Sequence, residues 1–492
     1  MQLRLASVIL FTLFLFSSGA HAGSSIQVRL SSAPKTLDWS IATTGSEGAI
    51  LQNITAGLFK RVGNGEPKPD LAESYAWSPD RKTLEIRLKS DQTWSDGTPL
   101  IAQHFLDSFE RLLNPNLSSE NASLLFDLKG AREYFLGKVK TFREVGVEAK
   151  DRTTLILRLK EPRAQFLSVL THWACSPYRK DKPHATIGPY LLKQQTKTKI
   201  TLHARTPELS IQDADFQVIS EGKTALELFR KKKLDYLLQL EDSLLGSPEL
   251  SGLPEPGLSE AVRVVALLHI NPSRVETKTP EKRRAIMRAI PVAELVELQP
   301  KTRMTANRII PIGIAGNTEA RTAESFKPEG ETGSPPSATL TLAYPNDAFS
   351  KTLAEQIQAH AKKLKLVIEP LPPGELSTAS KRYDLVLTLF GLDYLDPDQL
   401  LSSFLYQGTH DLFNLSSSEL LKIVQEARTA ESVKTRDQLY AKAAQYLESR
   451  LATVMPLFYR KRAFLIRDAF TFSSGASGTA QLSLIHLKNR SN

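Results

Sequence analysis

The sequence predicts an α/β protein of more than one domain, and three observations carry that expectation. Strand-like and helix-like segments alternate along the chain, with no internal repeat and no long low-complexity tract. Thr339 to Ala343 reads as a strand, Ser350 to Leu364 as a helix with Leu353, Ile357 and Leu364 inward, and Leu366 to Ile368 as a second strand. That βαβ unit implies parallel pairing. Another begins at Phe216-Gln217-Val218-Ile219, followed by a helix over Lys223 to Arg230. Finally, the mature chain of roughly 470 residues allows two or three domains with substantial cores.

The first residues read as a secretory signal. Arg4 supplies the positive start, Leu5 to Phe16 an apolar run, and Ala20-His21-Ala22 a small-x-small cleavage site before Gly23. The cut is expected after Ala22. The run is too short to cross a bilayer, and no later stretch reaches the roughly 18 apolar residues a membrane helix needs. No cysteine stands near the cut to take a lipid. A soluble, periplasmic protein is expected.

Cys175 is the only cysteine, so no intramolecular disulfide can form and packing must supply the stability. It is expected to be a small buried apolar residue. The net charge is +10, from 63 basic and 53 acidic residues. The basic residues are dispersed, with short runs such as Lys231-Lys232-Lys233, rather than striped among aromatics. That pattern argues against a nucleic-acid partner.

The elements follow in order. Leu84 to Leu88 alternates strictly and Leu155 to Leu159 in part, so both read as half-exposed strands. Asp96-Gly97 is a tight-turn signal, and Thr98 with Pro99 reads as an N-cap and first helical residue. The helix that follows carries Phe105, Phe109, Leu112 and Leu113 on one face and stops before Pro115. Trp77 and Trp94 are expected in cores, and Tyr190 in a structural role. The stretch Gly313 to Ser337, rich in Gly, Pro, Thr and Glu, reads as a surface excursion.

The most informative segment is Tyr383 to Pro397. A buried-strand pattern over Tyr383 to Phe390 ends in Gly391 and Leu392, then Asp393, at the carboxyl end where open α/β sheets bind ligands. A carboxylate there can hold a cation such as a peptide ammonium; the alternative is a hydrogen bond to loop backbone. Asp396 has a simpler role, as N-cap of a helix that starts at Pro397. That separates it from Asp393 and weakens any catalytic carboxylate pair. The histidines show no HxxH or HExxH spacing, so no zinc or other metal site is expected. No nucleophile elbow or phosphate loop appears, and Gly475-Ala476-Ser477-Gly478 has the wrong spacing for either. Neither a catalytic residue nor a cofactor is assigned, and the protein is not expected to be an enzyme; a periplasmic hydrolase stands as the second hypothesis.

Several blocks together carry a resemblance. They are Gly57-Leu58-Phe59, Pro69 to Tyr75, Ile86 to Lys89, Trp94 to Ala102, Gly188-Pro189-Tyr190, Asp393 to Pro397, and Pro456 to Tyr459. In order and spacing the chain resembles the periplasmic oligopeptide/dipeptide-binding proteins of ABC transporters, extracellular solute-binding protein family 5. The resemblance implies an α/β, two-lobed class II periplasmic binding fold with an extra inserted domain and mixed sheets flanked by helices. It divides the chain into domain I (23–55, 179–268 and 463–492), domain II (56–178) and domain III (269–462), which forms the second lobe.

The resemblance further implies a peptide ligand held extended between the lobes and delivered to ABC permease subunits, with a monomer sufficient for capture. Asp393 matches the acidic residue that receives the peptide ammonium. Phe390, Gly391 and Leu392 match the strand that pairs with peptide backbone. Thr43, Thr44 and Gly45 match the facing segment, near Glu47. There are departures. Asp384 to Phe390 contains no Arg or Lys for the peptide carboxylate, and Leu387 stands where an Arg would be useful. Lys301 and Arg303 are conceivable substitutes. Gly313 to Ser337 lacks the helical Ala/Leu/Lys pattern usual before the Thr339 strand. The same fold with nickel, haem or a sugar as cargo stays open.

Overall fold

The computed structural model describes residues 24–61, 66–163, 165–260, 262, 264–299, 301–317, 326–331, 333–371, 382–392, 396–405, 412, 417–430 and 432–488. The signal segment and Asp393 both lie outside the described residues.

Two large mixed sheets organise the chain. The first has seven strands, in the order Gly257–Leu258, Ala463–Ile466, Tyr236–Leu237, Ser25–Leu30, Asp213–Val218, Lys199–Ala204 and Tyr190–Gln195. Ser25–Leu30 lies parallel to Asp213–Val218 and to Tyr236–Leu237, the pairing expected of a strand–helix–strand unit whose helix is Gly222–Arg230. The second has six strands, in the order Arg303–Thr305, Val454–Arg460, Val264–Ile270, Leu385–Gly391, Thr339–Pro345 and Lys365–Leu371. Here Thr339–Pro345 runs parallel to Lys365–Leu371 in the register Thr339↔Lys365, as the βαβ reading requires. The intervening helix is Ala348–His360, capped by Asp347, so Leu364 falls beyond its end.

Each of these sheets is covered on both faces, which is why their central strands are almost wholly buried. Ile26, Val28 and Phe216 pack on one face of the first, and Leu226, Phe229 and Leu465 on the other. Leu268, Leu342 and Leu387 face one core of the second, and Val265, Phe390 and Phe404 the opposite core.

A separate antiparallel sheet, Ala72–Trp77, Thr83–Leu88, Thr154–Arg158 and Val147–Ala149, sits over its own core with Phe105, Phe109 and Leu112. Thr83–Leu88 alternates as expected, but Leu155, Ile156 and Leu157 are all buried. Cys175 belongs to this core, and burial pushes its thiol up to about 12. Trp94 is buried there too, its indole N–H donating to His104 Nδ1 at 3.0 Å. The helix carrying the Phe105 face starts later than the Thr98-Pro99 signal suggests, at Gln103. Asp96 takes the Thr98 N–H at 3.0 Å and Pro99 bridges back to Thr93, so these residues close a turn around Gly97.

The chain changes sheets at four places. After the strand Ser25–Leu30 and the helix Gly45–Ile54 it leaves the first sheet's layers, and it rejoins that sheet at Tyr190; Gly188 lies just before, its N–H donating to Ile54 O at 2.9 Å. A Cβ at Gly188 would stand 2.4 Å from Ile54 carbonyl carbon, so only glycine permits this approach. The passage to the second sheet falls between Leu258 and Val264, earlier than His269, because His269 is already inside the ladder Val264–Ile270. The return falls between Arg460 and Ala463.

One buried carboxyl bears on pH. Glu448 accepts the Ile309 N–H, and burial pushes its pKa up from 4.5 to about 7. The folded state therefore binds this proton more tightly than the unfolded chain, and stability falls as pH rises between about 4.5 and 7. The displacement is worth on the order of 3 kcal/mol. Glu448→Gln, which keeps an acceptor for Ile309, is expected to flatten that slope; urea unfolding at pH 5 and pH 8 measures it.

Candidate functional site

Between the two large sheets lies a cleft of about 590 Å³. Its walls include Thr43, Thr44 and Gly45 from the first lobe and Gly391 and Leu392 from the second. The structure thus brings these five expected residues to one cavity. Phe390 points the other way, into the core with Val265 and Phe404, as strand alternation dictates beside a cleft-facing Gly391.

The Thr43–Gly45 wall is fixed by Glu47. Thr44 caps the helix Gly45–Ile54, and Glu47 returns the bond in a capping box. Glu47 Oε2 accepts the N–H groups of Thr43 and Thr44, each at 2.8 Å, and Oε1 those of Lys35 and Thr36 at 3.1 and 3.3 Å. Burial raises its pKa, but the main-chain donors, Thr44 and Thr43 foremost, outweigh burial and hold the carboxylate below its ordinary range. Both oxygens are thereby spent on the protein's own backbone. The pattern Thr44-x-x-Glu47 is the sequence signal for that role.

The opposite wall is main chain with an open edge. Leu385–Gly391 pairs along its whole length with Val264–Ile270. On its other side, Thr339–Pro345 reaches only Leu385 and Val386. Among the described residues no strand pairs with that side of Leu387–Gly391. A Cβ built at Gly391 or at Gly45 would meet nothing within 4 Å, so both walls present bare backbone to open space.

The floor is the pair of crossing strands. Val264 pairs with both Gly391 and Arg460, and Arg462 exchanges bonds with Ser259: its N–H donates to Ser259 Oγ at 3.0 Å, and its carbonyl accepts the Ser259 N–H at 2.8 Å. Arg460 is tied to Asp242 at 2.8 Å and stacks over Phe349, with 4.4 Å to the ring centre. Lys301 and Arg303, the conceivable carboxylate holders, are elsewhere. Lys301 pairs with Glu255 on the surface, and buried Arg303 donates to Leu295 O and lies over Phe458. The cations that line the cleft instead include Arg460 and Arg462, in the run Arg460-Lys461-Arg462 directly after the Pro456–Tyr459 block.

A second contact joins the lobes. Arg163, beside the four-stranded sheet, pairs with Asp127 in its own lobe and reaches Asp398 across the gap at 2.7 Å. Asp398 is buried and also held by Arg428 at 2.8 Å. These guanidinium groups outweigh burial and keep Asp398 ionised, well below the usual carboxylate range. Its neighbour Asp396 caps the helix Pro397–Ser402 through the Asp398 N–H. Burial and the adjacent Asp398 push the Asp396 carboxyl up. Among the described residues no group of three or more His, Cys, Asp or Glu side chains is placed to hold a metal ion.

Two lobes joined by paired crossing strands, with an open main-chain cleft between them, define a two-lobed solute-binding protein. Residues 66–411 match the family described as bacterial extracellular solute-binding proteins, family 5, and the chain belongs to that family. It is 23% identical to the dipeptide-binding protein DppE of Bacillus subtilis over 88% of this chain and 86% of that one. It is 24% identical to the periplasmic oligopeptide-binding protein OppA of Salmonella typhimurium, over 90% and 88% respectively. Among solved structures, the murein tripeptide binding protein MppA of Escherichia coli superposes with a TM-score of 0.79 at 19% identity, covering 95% of this chain and 99% of that one. OppA of Haemophilus influenzae, in complex with RPPGFSPFR, gives 0.77 at 19% identity, over 95% and 99%. These two superpositions bear on the fold alone. No described helix is long and apolar enough to cross a membrane.

Arg163→Met removes the cross-lobe bond while leaving Asp398 its Arg428 partner. Truncating one partner of a buried charge pair costs about 2 kcal/mol or more. The unliganded variant is expected to shift toward an open form, seen as a larger radius of gyration in small-angle X-ray scattering; an unchanged radius rules the contact out as a latch.

Proposed function

We propose that the protein captures extended peptides outside the cytoplasm and hands them to the permease of an ABC importer, acting as a monomer and without chemistry on the ligand. The observation that carries this reading is the open edge of Leu387–Gly391 facing the Thr43–Gly45 wall across a glycine-lined cleft. An extended peptide can add to such an edge, exchanging main-chain hydrogen bonds while its side chains lie in the wet remainder of the cavity. The names of the relatives, dipeptide- and oligopeptide-binding proteins, agree in ligand class.

Within this reading Gly391 and Leu392 offer backbone, and Thr43, Thr44 and Gly45 the facing wall. Glu47 acts as a positioning residue that holds the wall in shape, and Phe390 anchors its strand in the core. Asp393, two residues beyond Gly391, is assigned to the peptide ammonium, a charge-assisted bond within a cleft that closure dries. Ligand contacts to both lobes favour the closed form, since only that form satisfies both sides at once. The signal over residues 1–22 accounts for export.

Native mass spectrometry of the purified protein tests the ligand class: heterogeneous peptide masses are expected, and a single discrete cofactor mass overturns the reading. Gly391→Val places a side chain in the open cleft, and a loss of peptide affinity of at least about tenfold at an unchanged melting temperature is expected. Asp393→Ala is expected to cost about 2–5 kcal/mol of binding in calorimetry; parental affinity removes the ammonium assignment.

A further inference from the structure

Away from the cleft, the chain between Lys129 and Glu144 folds into a compact knob beside the four-stranded sheet, and none of these residues lines the cleft. The short helix Ala131–Phe135 is followed by Gly137, whose φ of 69° turns the chain back. The N–H groups of Lys138 and Val139 both donate to Glu133 O, at 2.8 and 3.2 Å, and Thr141 caps the short helical turn Phe142–Glu144. Two ring contacts pin the knob to the core beneath it. Tyr134 meets Phe142 at 5.6 Å and Phe135 meets Phe126 at 5.3 Å between ring centres.

The surface of the knob combines an apolar tip with one-sided charge. Leu136, at the turn, is 52% exposed, and Tyr134, Phe135 and Phe142 are half-buried in the same segment. The segment holds five basic residues against two acidic ones, and Lys160 already binds the acidic Glu133. Lys129, Lys138, Lys140 and Arg143 are exposed, with no ion pair or side-chain hydrogen bond among the described residues. On the adjoining sheet cations are paired, Lys82 with Glu161, Lys150 with Glu85 and Arg158 with Glu148. A merely solvated charge run needs no leucine at its tip. A protein-binding face ordinarily sheds lysine, whereas an anionic lipid surface favours lysine beside aromatic and aliphatic side chains.

From this we infer that the knob is a docking surface for an anionic lipid bilayer. Leu136 enters the boundary between headgroups and acyl chains, the rings behind it lie at headgroup level, and the four cations meet lipid phosphates. The contact is peripheral and reversible, and it stands whatever the cargo of the cleft. The knob also adjoins the place where the lobes touch. Phe126, whose ring holds Phe135, directly precedes Asp127, the partner of Arg163 at the contact with Asp398. A bilayer bound there keeps that side of the protein at the membrane.

The test floats the full-length mature protein with phosphatidylcholine vesicles that carry or lack phosphatidylglycerol and measures the bound fraction. The parent is expected to bind the anionic vesicles at least about tenfold more tightly than the neutral ones. Salt at about 1 M, where screening leaves a range of only about 3 Å, is expected to remove that difference. The triple change Lys138→Gln, Lys140→Gln and Arg143→Gln is expected to lower anionic binding at least about tenfold. Leu136→Ser is expected to lower it about threefold or more. These four side chains are exposed, so the melting temperature is expected to stay at the parent's value. A control, Lys231→Gln with Lys232→Gln and Lys233→Gln, removes the same charge after the helix Gly222–Arg230 and is expected to bind like the parent. Equal losses in the two triple variants indicate diffuse attraction by net charge and overturn the inference. Binding that ignores the anionic lipid also overturns it, and is the result expected if the knob serves a protein partner instead.

Discussion

Everything functional in this protein depends on the way the chain crosses between its two large sheets. It goes over between Leu258 and Val264 and returns between Arg460 and Ala463, and the two crossings are hydrogen-bonded to each other at Ser259 and Arg462. A paired crossing lets the lobes turn toward one another while fixing where they meet. The cleft therefore has a floor of defined register, and the strand Leu385–Gly391 is held one ladder step from that floor through Val264. Two separately folded lobes on a loose linker would lack that geometry.

The walls show how a binding surface can be mostly main chain. Glu47 draws four backbone N–H groups together and shapes the Thr43–Gly45 segment. The facing strand leaves an edge unpaired and ends in a glycine. Exposed strand edges are ordinarily a hazard, because any extended chain can add to them. Here the edge lies inside a cleft, where the proposed extended peptide would add to it. Main-chain pairing carries little sequence information.

Much of the architecture is legible in the chain because it rests on local rules. The βαβ unit from Thr339 to Leu371 follows from hydrophobic periodicity, and the Asp396-Pro397 helix start from capping chemistry. The Thr98-Pro99 helix start misled for an equally local reason. Asp96 captured Thr98 for its turn, and Arg179 and Lys182, more than 80 residues away in sequence, hold Asp96 there. The half-exposed strand expected of Leu155 to Leu159, which alternates only in part, instead buries Leu155, Ile156 and Leu157 in succession.

By itself, then, the sequence determined the α/β class, the family's ordered blocks, the burial of Cys175 and the placing of Gly391 and Leu392 at the end of a buried strand. Those properties are set by side-chain period, by turn and cap chemistry, and by residue type, all readable within a few positions. Only the tertiary structure decided which charges are spent and which are free. It gave Arg460 to Asp242 and Asp398 to Arg163, and it left the Arg462 guanidinium on the cleft without a partner among the described residues. Pairing between residues separated by up to more than 200 positions depends on sheet register and lobe contact, and no local pattern encodes either.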